Sequence, residues 1–193
     1  VQYPVRGGDW LNVVAIVHGY LQDDLQNWDH DTNAADLQAA IKLTSAPLRD
    51  LIAAVTDGAM AGPAWRLWAL CDRPPMTGPG QQAQGRVALL GDAAHPMLPY
   101  LAQGAGMAIE DAAELGSALG QALDPIFEVP TLLQRYALNR WQRNARVQAR
   151  SQRNGQIFHA EGALRWGRDA SLKLLGEKIM DLPWLYGASV GRL

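Results

Sequence analysis

Apolar and polar positions alternate in readable rhythms along this chain. Tyr3 to Arg6, the tight Gly7-Gly8-Asp9 break and Trp10 to Val17 predict two strands of a hairpin. A polar stretch comes next, Gln22 to Asp31, containing Trp28. Two helical patterns succeed it: Ala34 to Lys42, with Asn33 placed to cap it, and Pro47 to Val55, with proline at an early helical position. Trp65 to Leu70 alternates and predicts a strand, whereas Asp72 to Gly85, rich in Pro, Gly and Gln, predicts a loop.

Beyond that loop the rhythm changes. Arg86 to Leu90 is a short, continuous apolar run and predicts a strand of the buried type, running directly into Gly91-Asp92-Ala93-Ala94-His95. A proline-marked loop, Pro96 to Gln103, leads to a helix from about Gly104 to about Leu123, ended by Asp124-Pro125. A second long helix is predicted from Pro130-Thr131 toward Asn154-Gly155. An amphipathic helical tail runs from Ala163 to Met180, and Pro183 is expected to break helical structure beyond it. One buried strand cannot build a parallel sheet by itself. Its partners are therefore expected from sequence upstream of this chain, and the fold class is α/β.

Composition narrows the function classes. With 193 residues, 48% of them hydrophobic, the chain can bury a core. A net charge of −2 argues against nucleic acid or an acidic membrane as partner. One cysteine, Cys71, excludes an internal disulfide framework and fits a reducing cytoplasm. No apolar run is long enough to span a bilayer. The opening Val1-Gln2-Tyr3-Pro4 has no signal-peptide layout and reads as a chain beginning in mid-pattern.

The chemistry lies in residues 85–112. Read physically, they are strand, acidic turn, rigid loop and glycine-rich helix start. An aspartate just past a strand, here Asp92, accepts hydrogen bonds from sugar-like hydroxyls. Gly91 and the alanines leave room for a ligand to approach the backbone. Gly104 and Gly106 open a helix whose free N–H groups favour negative charge. The stretch holds no charged phosphate anchor and no metal-ligand cluster. It suits a polarisable ring with an anionic reduced form better than a phosphate.

This stretch, Gly85-Arg86-Val87-Ala88-Leu89-Leu90-Gly91-Asp92-Ala93-Ala94-His95-Pro96 and onward to Ala112, closely resembles the second FAD-binding motif of class A flavoprotein aromatic hydroxylases of the salicylate and 6-hydroxynicotinate type. A looser resemblance covers nearly the whole chain. Asp72-Arg73-Pro74-Pro75 is similar to the segment before the motif, and Tyr3-Pro4-Val5-Arg6-Gly7-Gly8 to a strand of the substrate pocket. The resemblance implies that Gly91 and Asp92 hold the ribityl side of FAD. It implies that the backbone N–H groups of Gly104, Ala105, Gly106 and Met107 face the pyrimidine edge of the flavin ring. It also implies that Pro99 lies beside that ring, its carbonyl near the substrate, and that Tyr100 and Tyr3 line the aromatic pocket, with Gln103 a further candidate. His95 is a candidate for proton handling, the competing reading being a histidine that fixes the loop through backbone hydrogen bonds.

The implied architecture is an incomplete FAD/NAD(P)-binding Rossmann-like domain, part of a substrate-domain β-sheet and a helical C-terminal tail. Residues 1–70 fall to the substrate sheet with its connecting helices, 71–125 to the closing segment of the FAD domain and 126–193 to the tail. The implied reaction is hydroxylation of a small aromatic substrate by dioxygen through a flavin C4a-hydroperoxide, with NADH or NADPH as reductant. The family's strand–GxGxxG–helix unit for the adenine end of FAD does not occur in this sequence. Gly78-Pro79-Gly80 does not replace it, because no strand and helix flank it. A missing N-terminal FAD-binding half is thus an expected partner. A flavin epoxidase or non-aromatic hydroxylase, or an inactive fragment serving only as a binding module, remain alternatives.

Two further features admit competing readings. Arg135, Arg140, Arg143, Arg146, Arg150 and Arg153 share one predicted helix with no acidic residue from Thr131 to Ala160. They scatter around it, so a solvated face or pairing with acidic residues elsewhere is favoured over nucleic acid. The stripe Leu164, Leu172, Leu175, Ile179 and Leu182 reads as core packing, with a homodimer contact as the alternative.

Overall fold

The structure, a computed structural model, describes residues 1–19, 34–42, 44–57, 65–120, 128–176 and 182–186. The chain divides into two compact units, Val1–Ala69 and Leu70–Leu193.

In the first unit, strand β1 (Gln2–Val5) pairs antiparallel with β2 (Trp10–Val13), Gln2 opposite Val13 and Val5 opposite Trp10. The turn between them carries three successive positive φ angles, at Arg6 (51°), Gly7 (72°) and Gly8 (106°). Glycine adopts these without steric cost. Arg6 has a Cβ, and its guanidinium lies 5.4 Å over the Trp10 ring, a cation–π contact that favours this conformation. The second strand, expected to reach Val17, is shorter. The ladder stops where β1 runs out of residues, with Val1 and Val14 exchanging N–H···O bonds. Helices α1 (Ala34–Ala40) and α2 (Ala46–Asp57) pack together, with Ile41 and Ile52 buried. The strand expected at Trp65 to Leu70 is absent as a regular element. Leu67 alone makes a bridge, and Trp68 and Leu70 are exposed. Alternation needs a partner ladder to become a strand. The polar stretch around Trp28 and the Asn33 cap lie outside the described residues.

In the second unit, the predicted loop Asp72 to Gly85 contains a 3-10 turn at Pro79–Gln81 and a short strand, β3 (Ala83–Gln84). Around Gly85, which has φ +59°, β3 pairs antiparallel with β4 (Val87–Ala88). This corrects the expected buried strand. It finds a partner inside the chain, and Val87 is 65% exposed. Among the described residues both sheets are two-stranded and antiparallel.

Helices make up the remainder: α3 (Gly104–Gly120), α4 (Val129–Phe158), α5 (Gly162–Leu175) and the short α6 (Pro183–Tyr186). The expected ending of α3 at Asp124-Pro125 lies outside the described residues. Pro183 opens a helical turn rather than breaking one, as its fixed φ permits. Helix α4 packs along α3 and carries a buried stripe. The stripe begins apolar, with Leu132, Leu133, Tyr136 and Ala137. It continues at the same helical spacing with Arg140, Asn144, Val147, Gln148, Ser151 and Asn154. Met107, Val147 and Leu185 form a small core, flanked by Met97, Leu101, Leu182 and Trp184. The α5 stripe is not core in this unit. Its helix buries no residue, and Leu164, Leu172 and Leu175 are exposed.

Helix α4 outruns its predicted end because Gly155 is helical. A Cβ there would sit 2.6 Å from Cε2 of Tyr100, whose ring lies against the helix. Gly155→Ala therefore gains up to about 1 kcal/mol of helix propensity but forces the ring aside, at about 1–3 kcal/mol. The variant is expected to be less stable in urea unfolding. In a Tyr100→Ala background the same change becomes stabilising, because the clash is gone.

Candidate functional site

The strand-to-turn junction is built by buried polar ties. Gly91–Ala93 form a 3-10 turn, with Gly91 buried at φ +56°. A Cβ at Gly91 would meet Cβ of Ala108 at 3.2 Å, so this residue needs glycine for both conformation and space. Asp111, from α3, clamps both ends of the turn. Its Oδ2 accepts the Gly91 N–H at 3.0 Å and lies 2.5 Å from His95 Nε2. Its Oδ1 accepts from Arg140 Nε at 2.8 Å and Asn144 Nδ2 at 3.0 Å. Tyr136 donates its hydroxyl to the Leu89 carbonyl and accepts from Gln82 Nε2 at 2.8 Å.

Around this clamp the charges are paired. Glu110 receives Arg143 Nε and Nη2, each at 2.7 Å, and Arg140 Nη1 at 2.7 Å. Burial alone would raise the Asp111 carboxyl, but hydrogen bonds from His95, Asn144, Arg140 and the Gly91 N–H outweigh it and hold it far below the usual carboxylate range. Glu110 obeys the same logic: burial raises it, and the two arginines bring it below its ordinary value. Burial pushes the Tyr136 phenol up to about 12, so it stays a neutral donor. Arg140 and Arg143 on α4 thus find acidic partners within the chain, and Arg146 lies 3.9 Å over the Trp184 ring.

The predicted site residues separate into groups. Asp92, Pro99 and Ala105 are exposed or half-buried, whereas Gly91, His95 and Met107 are buried. The Asp92 carboxylate lies beside the start of α3, its Oδ1 3.9 Å from where a Gly104 Cβ would stand. Gln103 Oε1 lies 3.4 Å from the equivalent point at Gly106. Met107 gives its N–H to the Gln103 carbonyl at 2.8 Å and its side chain to the core. That leaves Gly104, Ala105 and Gly106 as the donors of the first turn. Pro99 starts a 3-10 turn and its carbonyl accepts the Ala102 N–H at 3.1 Å. Tyr100 points to the end of α4, its hydroxyl 3.4 Å from His159 Nδ1 and its ring edge-on to Phe158. His95 is fully enclosed, with Nδ1 unpartnered. Tyr3 belongs to the first unit, half-exposed on β1. No group of metal-ligating side chains occurs among the described residues, and no described helix is long and apolar enough to cross a membrane.

Comparison with known proteins finds matches over the segment that carries these residues. Residues 80–151, from the 3-10 turn before β3 to the polar stripe of α4, match the FAD binding domain family. The chain is 36% identical to 3-hydroxybenzoate 6-hydroxylase of Polaromonas naphthalenivorans (strain CJ2) over 99% of its own length and 44% of the relative's. It is 33% identical to salicylate hydroxylase of Pseudomonas putida, over 95% of this chain and 41% of that protein. The chain is thus similar, over nearly all of its own length, to proteins named as aromatic hydroxylases. A solved salicylate hydroxylase substrate complex superposes with a TM-score of 0.71 at 27% identity, over 98% of this chain and 44% of the other. The chain thus spans less than half the length of these hydroxylases.

The site's support was not assigned from sequence. Asp111, Gln82, Tyr136, Arg140 and Asn144 hold the Leu89–His95 turn in shape through buried hydrogen bonds. One signal for them existed: the apolar stripe of α4, continued at its own spacing, lands on Arg140, Asn144 and Gln148. Polar residues at core positions announce a buried network.

Proposed function

We propose that this chain is the C-terminal part of an FAD- and NAD(P)H-dependent monooxygenase that hydroxylates a small aromatic, salicylate-like substrate with dioxygen. The carrying observation is the exposed Asp92 carboxylate, displayed on a clamped turn beside the glycine-rich start of α3. The residues fit the flavin. Side chains are small at 91, 104, 105 and 106, so a flat ring can approach the backbone.

In this reading Asp92 accepts hydrogen bonds from ribityl hydroxyls. The N–H groups of Gly104, Ala105 and Gly106 stabilise negative charge at the pyrimidine edge. Pro99 closes one side of the ring and excludes water. His95 acts through position, holding the turn by way of Asp111, and Tyr3 and Tyr100 belong to the walls of the substrate region. Bound flavin supplies the relay of electrons from NAD(P)H and the activation of oxygen. Residues 1–70 serve the substrate region, 71–125 close the FAD domain and 126–193 form its helical support. An N-terminal FAD-binding half completes the site, and a cytoplasmic location suits a chain with one unpaired thiol.

Product analysis tests this reading. The full-length protein with FAD and NAD(P)H is expected to convert salicylate or 3-hydroxybenzoate to a ring-hydroxylated product. Consumption of NAD(P)H with no hydroxylated aromatic product from a panel of hydroxybenzoates would sink it.

A further inference from the structure

Helix α4 and the loop before α3 run side by side in register. Gln148 Nε2 donates to the Pro96 carbonyl at 3.2 Å, Ser151 Oγ to the Leu98 carbonyl, and Asn154 Nδ2 to the Tyr100 carbonyl at 3.5 Å. The donors are three residues apart on one helix face, and the acceptors are alternate residues of the loop, the first two extended and the third inside the 3-10 turn Pro99–Leu101. Three helical residues rise about 4.5 Å, whereas the two extended residues from Pro96 to Leu98 advance about 6.6 Å. Side chains of graded length, Gln, Ser and Asn, bridge that mismatch. All three are buried. A buried serine in a helix commonly bonds back to its own preceding turn, but Ser151 gives its hydroxyl to the loop instead.

The loop has little internal bonding to hold it. Pro96 and Pro99 have no N–H, and its own backbone closes only the single 3-10 turn at Pro99–Leu101. It also joins the two halves of the proposed flavin site, the Asp92 turn and the first turn of α3. Its path fixes where Pro99 stands relative to both. We propose that Gln148, Ser151 and Asn154 are positioning residues, which set the flavin-facing edge of the 96–103 loop by gripping its opposite edge. The inference rests on the reading of Asp92 and Gly104–Gly106 as a flavin site.

The test uses the full-length, FAD-loaded protein with Ser151→Ala and, separately, Asn154→Ala. Amide hydrogen exchange at Met97, Leu98, Tyr100 and Leu101 is expected to accelerate about tenfold for Ser151→Ala, and the FAD dissociation constant to rise by about the same factor. Asn154→Ala, with the longer bond, is expected to move both less. Ser151→Thr, which keeps the hydroxyl, restores both. Leu132→Ala, a cavity at the far end of the same helix, lowers the melting temperature without moving either readout. Unchanged loop exchange in both alanine variants overturns the proposal. So does faster loop exchange with unchanged FAD affinity, provided Asp92→Ala in the same assay still weakens FAD. If Asp92→Ala also leaves FAD affinity unchanged, the flavin reading itself has failed.

Discussion

Asp111→Ala is expected to cost roughly 3–5 kcal/mol of folding stability, because it breaks a buried ion pair from one side. Five groups lose a partner at once: the Gly91 N–H, His95, Arg140, Asn144 and, at 3.5 Å, Gln82. Arg140 would retain Glu110, but its Nε would be left facing an empty, buried space. Chemical unfolding measures the loss. Adding Arg140→Met to Asp111→Ala should recover part of it, since the stranded cation goes too. A double variant no better than the single one would place the cost in the lost backbone ties instead. The same carboxylate gives a pH signature. Asp111 and Glu110 both titrate lower folded than unfolded, where values are about 3.9 and 4.3. Their contribution is therefore fully present above those unfolded values and is lost as pH falls through the folded ones. The melting temperature should drop steeply in acid for the parent protein, and less steeply for Asp111→Ala.

Asp92→Ala is expected to leave the fold intact and weaken FAD binding about 10- to 100-fold in the full-length protein, the worth of a charge-assisted hydrogen bond to a hydroxyl. The fold survives because Asp92 is exposed and its turn is held by Asp111 rather than by its own side chain. Fluorescence titration with FAD measures the affinity. A matched urea curve for the two proteins establishes that the defect is local. Equal FAD affinity for both would remove Asp92 from the site.

These two aspartates also mark how far the sequence could be read. The exposed turn that carries Asp92 was legible because strand, acidic turn, rigid loop and glycine helix start succeed one another within a short segment, where local chemistry is enough. Asp111 was not, because its role depends on α4 reaching back across the chain with Arg140 and Asn144. The helices α3, α4 and α5 were legible through long apolar spacing. Arg86 to Leu90 misled for a related reason. An apolar run announces that a strand will be covered, but not by what, and in this chain its partner is the short β3, which leaves Val87 open. Trp65 to Leu70 alternates just as well, yet forms no regular strand.

Cys71 provides a practical handle. It is the one thiol in the sequence, it is exposed, and its neighbours Asp72 and Arg73 are both held by Gln152 on α4. Within this chain a maleimide dye would attach at a single address, next to the helix that contacts the loop. Ligand-induced movement of that helix could then be tracked by fluorescence without engineering a site. The same thiol can crosslink two copies in air, so any measurement of native mass needs a reductant in the buffer.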